Sequence, residues 1–169
     1  MFDDEKFFAQ RPNKLSITTK TPYFEYTKDD FSLQEMYNIL EEVFDKGEET
    51  AGSVLLSVLK PGYNYIQYIT MGIYYKHTYR MIIHTIDGTD LYWWDSNKDE
   101  YIGNIYNPEP HPFPIDKRTL VNNIKYAQIL FYEVYKYGRL SDNALMNFRS
   151  LRDEKPPYYL IPKELLEDT

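Results

Sequence analysis

The chain has 169 residues, no cysteine and a formal net charge of -7. Its length fits one domain, and a hydrophobic fraction of 43% with an aromatic fraction of 17% excludes the disordered class, which lacks the apolar surface needed to fold. The lack of cysteine excludes disulfides and thiolate metal sites and predicts a reducing, cytoplasmic location. The net acidity argues against direct binding to nucleic acid, whose phosphates select clustered Lys and Arg.

The first residues carry no signal for export. Met1 to Lys6 is acidic where a signal peptide is basic, and no apolar run reaches the roughly 20 residues that a membrane span needs. Residues 1–22 contain Pro12 and Pro22 and predict an irregular lead-in. We therefore expect a domain that does not enter a membrane.

The first helix is predicted by its N-terminal cap. Ser32 and Glu35 have the spacing of a capping box, and Phe31 and Met36 have the spacing of a hydrophobic staple. Apolar residues then recur at intervals of three and four, and Gly47 is the predicted C-cap. The outer face of this helix is acidic and includes Glu41, Glu42 and Asp45.

Four β-rich runs follow, at residues 53–59, 63–75, 78–86 and 91–95. The connections between them are short, and two of them have turn residues, Lys60-Pro61-Gly62 and Asp87-Gly88-Thr89-Asp90, which predicts an antiparallel meander. Gly72, inside the second run, predicts a bulge or bend.

A polar segment and a second long helix come next. Residues 96–114 hold alternating prolines and predict a surface loop with a short edge strand around 101–106. The helical period returns at Leu120 and ends at Gly138, which is placed as a C-cap.

A third, shorter helix is predicted after Ser141, its N-cap. One face of this helix would carry Leu145, Phe148 and Leu151. Residues 153–169 predict an extended tail. Because the order contains no alternating β and α units, it predicts one α+β domain over residues 1–169, with an antiparallel meander sheet of about 4–6 strands packed against two to three helices.

The sequence shows no pattern of catalytic or metal-binding residues. His77 and His84 are separated by an odd number of positions and would point to opposite faces of an unbroken strand, and His111 stands among prolines. Neither a nucleophile elbow nor a phosphate-binding loop occurs. We therefore predict no metal, no cofactor and no enzymatic activity.

Paired carboxylates keep one enzymatic alternative open. Asp87 with Asp90, or Asp95 with Glu100, could flank a bound sugar as general acid and base. With 26 acidic residues in the chain, such pairs are also expected by chance.

The segment around Trp93 and Trp94 is the most informative in the chain. On a strand these neighbours face opposite sides, so one is expected in the core and the other on the open face of the sheet. The second ring could pack under a helix or loop, anchor a protein interface, or stack on a sugar. The nearby carboxylates of Asp95, Asp99 and Glu100 favour a basic protein surface.

In organisation the chain resembles the small bacterial immunity proteins that protect cells from polymorphic or contact-dependent growth-inhibition toxins. The resemblance covers roughly residues 22–148 and rests on four features. They are the helix capped at Ser32, the strand opening Gly52-Ser53-Val54-Leu55, the segment Trp93-Trp94-Asp95, and the late helix ending Tyr137-Gly138-Arg139-Leu140-Ser141. It implies a cytoplasmic, non-enzymatic protein that binds one cognate toxin domain and blocks its active site or substrate cleft.

The residues and the resemblance favour the same class of function. An acidic, aromatic-rich surface could fill the basic cleft of a nuclease or similar toxin. The residues predicted to contact the toxin are Trp94, Asp95, Asp99, Glu100 and Tyr101 after the fourth strand, with Glu41, Glu42 and Asp45 on the first helix. The alternatives are a carbohydrate-binding module that uses the Tyr and Trp face, and a small carboxylate-dependent hydrolase.

Overall fold

A computed structural model of the protein describes residues 15–20, 25–46, 52–58, 66–75, 77–85, 88–95, 105–106 and 115–150. The strands in these ranges are β1 (Leu15–Lys20), β2 (Glu25–Lys28), β3 (Ser53–Val58), β4 (Ile66–Tyr75), β5 (Thr78–Thr85), β6 (Asp90–Trp93), β7 (Ile105–Tyr106), β8 (Ile115–Asp116) and β9 (Phe148–Ser150). Seven of them form one antiparallel sheet in the order β2-β1-β3-β4-β5-β6-β9, and β7 pairs with β8 in a second, two-stranded sheet.

The helices are α1 (Leu33–Lys46), α2 (Ile124–Tyr137) and α3 (Asp142–Leu145), with a 3₁₀ turn at Lys117–Thr119. The predicted α+β class with an antiparallel sheet is confirmed. The predicted strand number is too low, because the main sheet has seven strands where about 4–6 were expected. The four predicted runs correspond to β3 to β6, and the additional members are β1, β2 and β9.

The irregular lead-in predicted for residues 1–22 is wrong over 15–20, which form β1. Ile17 on this strand is fully buried and pairs with Leu56 of β3, while β2 pairs along the other side of β1. Thr18 and Thr19 supply β-branched side chains that suit a strand. The prolines that argued against regular structure stand outside β1, so they do not interrupt its pairing.

The predicted third helix begins at the expected residue and ends early. The Ser141 Oγ accepts the Ala144 N–H at 3.2 Å, as an N-cap should, but the helix stops at Leu145. Phe148 was placed on this helix and instead begins β9, where it pairs with Trp93. Pairing β9 with β6 satisfies backbone groups along the β6 edge, which a longer helix would have left without a strand partner. Leu151 and the predicted tail lie outside the described residues.

The two long helices confirm the predicted end signals. In α1, the Glu35 N–H donates to the Ser32 Oγ at 3.1 Å and the Ser32 N–H donates to the Glu35 carboxylate at 3.3 Å, which completes a capping box. A hydrogen bond from Lys28, and then the one from the Ser32 N–H, lower the pKa of Glu35. Helix α2 ends at Gly138, whose φ of 72° is left-handed. The predicted C-cap Gly47 lies outside the described residues.

Replacing Ser32 with alanine is expected to lower the free energy of unfolding by about 1 kcal/mol, because the Glu35 N–H loses its acceptor. Ser32→Asp is the control, since its carboxylate can still cap the helix. The measurement is urea unfolding followed by circular dichroism. Equal stability of the wild type and Ser32→Ala would show that the capping box does not stabilise α1.

The core lies between the helices and one face of the sheet. Alternate residues of the central strands point into it, as Val54, Leu56 and Val58 do on β3. Helix α1 contributes Met36, Leu40, Val43 and Phe44, and helix α2 contributes Ala127, Leu130, Phe131 and Val134. Of the bulge or bend predicted at Gly72, a bulge at that residue is wrong, because Gly72 pairs in register with Arg80 and the irregularities fall at Ile66/Tyr68 and Ile73/Tyr75.

Tyr79 on β5 joins the sheet to the start of α2. Its side chain is fully buried, and its hydroxyl donates to the Asn123 carbonyl at 2.5 Å and accepts the Ala127 N–H at 3.1 Å. These two backbone groups would otherwise pair in the first turn of the helix. Burial raises the pKa of the Tyr79 hydroxyl well above its ordinary value. The hydroxyl therefore positions the N-terminus of α2 over the sheet.

Candidate functional site

The two tryptophans at the end of β6 face opposite sides of the sheet, as predicted. Trp93 points toward α2, where its ring centroid lies 5.7 Å from that of Tyr126. Trp94 points to the other face, where the guanidinium of Arg118 lies 4.5 Å and that of Arg149 5.7 Å from its ring centroid. The two guanidinium groups cover the ring of Trp94.

Trp94 was predicted as a surface contact for a toxin, and the structure contradicts that placement. Only 2% of Trp94 is exposed, because its ring is covered on a face of the sheet away from the main core. The half-buried Trp93 is the more accessible ring. Side chains alternate along a strand whether Trp93 or Trp94 is the buried ring, so the sequence did not determine which of the two is buried.

A pocket of about 450 Å³ opens where the end of β6 meets α2 and α3. We call it the β6–α2 pocket. It is lined by Trp93, Trp94, Asp95, Tyr126, Ile129, Leu130, Glu133, Ser141, Asn143, Ala144 and Asn147. Tyr126 is 48% exposed and Ile129 is 59% exposed, so part of its apolar wall is accessible to a ligand. The pocket thus combines accessible apolar surface with polar groups, as binding sites commonly do.

Two carboxylates lie in the lining of this pocket, those of Asp95 and Glu133. The Ser141 N–H and the Ser141 hydroxyl donate to the two oxygens of Glu133 at 3.0 and 3.1 Å. These bonds fix the Glu133 carboxylate against the start of α3. None of the lining residues is Lys, Arg or His, so the formal charge of the lining is negative.

The acids predicted on the outer face of α1 are exposed but lie elsewhere. Glu41 accepts a hydrogen bond from Gln128 at 3.0 Å, and Gln128 follows Tyr126 by two positions on α2. Residues two apart on a helix do not share a face. Glu41 therefore approaches the side of α2 that is turned away from the pocket.

The other two predicted acids of α1 pair with residues outside α2. Glu42 binds Lys46 at 2.8 Å, and Asp45 lies 3.4 Å from His77. The predicted contact residues of α1 and β6 consequently do not form one surface. Asp99, Glu100 and Tyr101 lie outside the described residues.

The histidines do not form a metal centre in the described part of the chain. His84 Nδ1 lies 2.5 Å from Asp90, and its ring stacks on Tyr68 at 4.6 Å. His77 does not lie on a strand continuous with His84, because it occupies the turn before β5 with a left-handed φ of 57°. Within the described ranges, no three His, Asp or Glu side chains are grouped as metal ligands. Asp87, Glu100 and His111 lie outside those ranges.

The residues from α2 and α3 that line the pocket were missed from the sequence. Tyr126, Ile129 and Glu133 recur at intervals of three and four, so they share one side of α2. The exposed apolar pair on that side was a usable signal, since the buried stripe of α2 was already accounted for by Ala127, Phe131 and Val134. These residues of α2 line a pocket because the end of β6 lies beside them in the fold.

The fold and the pocket define an α+β protein with an antiparallel sheet and a candidate binding site at one end of it. No protein-family model matches the sequence, and no curated protein matches it. A crystal structure of a hypothetical protein from Neisseria gonorrhoeae has a similar fold, with a TM-score of 0.53 at 13% sequence identity. The match covers 75% of this chain and 90% of that chain. At this identity the similarity concerns the fold alone.

In the part of the chain that the structure describes, no helix has both the length and the apolar character required to cross a membrane.

Proposed function

We propose that this chain is an immunity-type inhibitor, which binds a basic toxin domain and blocks its active site without catalysing a reaction. The β6–α2 pocket carries the proposal, because it joins accessible apolar side chains to two carboxylates in a lining without basic residues. A cationic protein surface complements such a site in charge and can bury its apolar wall. The net charge of -7 would also speed the encounter with a basic partner.

Exposed apolar residues line this pocket or adjoin its lining residues in the chain. Tyr126 and Ile129 form its accessible wall, and Met146, which is 78% exposed, lies in the chain between the lining residues Ala144 and Asn147. We call Tyr126, Ile129 and Met146 the docking surface. Aromatic and large apolar residues at the centre of an interface contribute most of the binding energy. The docking surface therefore supports protein binding at this end of the sheet.

The proposal is tested with the toxin whose gene, under this hypothesis, adjoins the gene for this chain. Cells that express the toxin domain should survive when the wild-type chain is co-expressed. Ile129→Asp places a charge in the apolar wall and should weaken binding by about thirtyfold or more, which growth and calorimetry can measure. The matched control is Tyr26→Asp, a similar change at an exposed residue on β2.

Failure of the wild-type chain to bind or protect against that toxin would contradict the proposal. Full protection by Ile129→Asp, with the thermal stability of both variants unchanged, would place the interface elsewhere. Loss of protection by Tyr26→Asp to the same degree would show that the effect is not specific to the docking surface.

A carbohydrate-binding function is the second candidate. Trp93 and Tyr126 line the pocket together with Asn143 and Asn147, and sugars bind to rings by stacking and to amides by hydrogen bonds. Binding on a glycan array that is lost in Tyr126→Ala, with unchanged stability, would favour this candidate over toxin inhibition.

A further inference from the structure

The β6–α2 pocket has an aromatic wall that suits a flat cation. The rings of Trp93 and Tyr126 are 5.7 Å apart and tilted by 44°. Cations are attracted to the faces of such rings, and the guanidinium group of arginine also stacks on them because it is planar. Guanidinium groups already lie over rings on the opposite face of the sheet, where Arg118 and Arg149 lie over Trp94 and Arg80 lies over Tyr92.

The carboxylate of Glu133 is oriented to accept further hydrogen bonds. Each of its oxygens accepts one bond from Ser141. Because a carboxylate has about four acceptor positions, each oxygen retains capacity for another donor. Asp95 adds a second negative charge to the lining, and Asn143 and Asn147 add amide oxygens. The pocket therefore offers acceptors and negative charge beside aromatic rings.

We infer that the β6–α2 pocket binds the guanidinium group of one arginine of the partner protein. The inference rests on the proposed function, for which it names the group that the pocket receives. Arginine fits better than lysine, because its five N–H donors lie in the plane that stacks on a ring, whereas the lysine ammonium is a compact, strongly hydrated charge. A neutral sugar can donate hydroxyl hydrogen bonds to the two carboxylates, but it carries no positive charge to complement theirs.

The test is a titration of the intact chain with N-acetylarginine amide, followed by NMR at the indole N–H of Trp93. The neutral isostere N-acetylcitrulline amide keeps the shape and removes the charge. The arginine probe should shift the Trp93 signal, and the citrulline probe should bind about tenfold more weakly or not at all. The lysine probe, acetylated at the α-amino group so that its side-chain ammonium stays charged, should bind less tightly than the arginine probe.

Two conservative variants examine the carboxylates. Asp95→Asn and Glu133→Gln should each weaken binding of the arginine probe by about tenfold. The amide introduced by Glu133→Gln keeps one oxygen that can still accept a hydrogen bond from Ser141. The matched control is Glu41→Gln on α1, which removes a carboxylate on the far side of α2 and should leave binding unchanged.

Equal binding of the arginine and citrulline probes would overturn the inference, as would unchanged binding by both pocket variants. A shift of the Trp93 NMR signal on addition of a neutral monosaccharide, with no shift on addition of the arginine probe, would overturn the inference and favour carbohydrate binding. The two proposals fail separately. Toxin protection that persists in Asp95→Asn and Glu133→Gln removes the arginine inference alone, whereas absence of protection by the wild type removes the inhibitor function.

Discussion

Replacing Trp94 with alanine is expected to lower the free energy of unfolding by about 3–5 kcal/mol, the range for removing a large buried aromatic side chain. The ring is 2% exposed and lies beneath the guanidinium groups of Arg118 and Arg149. Removal would leave a cavity and would also take the aromatic face away from both cations. The measurement is urea unfolding monitored by far-UV circular dichroism.

Trp93→Ala is the comparison for this experiment. Trp93 is half-buried and faces the pocket, so its removal should cost less stability than removal of Trp94 while altering the wall of the binding site. Trp94→Phe should recover part of the lost stability, because it keeps a ring under the cations. A Trp94→Ala protein as stable as the wild type would contradict the burial of this ring. It would also restore Trp94 as a candidate for surface contact.

Replacing Tyr79 with phenylalanine is expected to lower the free energy of unfolding by about 1–3 kcal/mol near neutral pH. The change keeps the ring in the core and removes only the hydroxyl that bridges the Asn123 carbonyl and the Ala127 N–H. Tyr126→Phe on the exposed side of α2 is the control, and it should change stability little. Equal stability of wild type and Tyr79→Phe would show that the hydroxyl adds no net stability. The Ala127 N–H and the Asn123 carbonyl would then bond to each other equally well in its absence.

The same pair of proteins should differ in alkaline solution. Burial raises the pKa of Tyr79 in the folded state, so the unfolded chain releases this proton first as the pH passes about 10. The stability conferred by the protonated hydroxyl is therefore complete below about pH 10 and declines above it, at up to about 1.4 kcal/mol for each pH unit. Tyr79→Phe lacks this titration, so its stability deficit should shrink between neutral and alkaline pH. A constant deficit would contradict the raised pKa.

The elements that the sequence predicted correctly are those determined by neighbouring residues. The capping box at Ser32 and Glu35 and the left-handed Gly138 need only a few adjacent positions to act. Strands β3 to β6 follow one another through short turns, so their pairing could also be inferred locally. The class of fold followed from that order.

The elements that the sequence missed depend on contacts between distant residues. Strand β9 is three residues long and is a strand because it pairs with β6. The residues around Phe148 show no local pattern that predicts this pairing. The burial of Trp94 likewise depends on Arg118 and Arg149, which come later in the chain. Asp95 was identified, but Tyr126, Ile129 and Glu133 join it only when α2 docks beside β6.

The pairing of β9 with β6 also bears on how the protein folds. The hairpins from β3 to β6 join segments close in the chain, whereas Leu91 must meet Ser150 across the whole of β7, β8, α2 and α3. Contacts between such distant segments carry a larger entropy of loop closure and tend to form late. We therefore expect the β6–α2 pocket to assemble in the last stage of folding. A ligand held there would then slow the opening of this end of the sheet, and amide hydrogens of β9 would exchange more slowly in the complex.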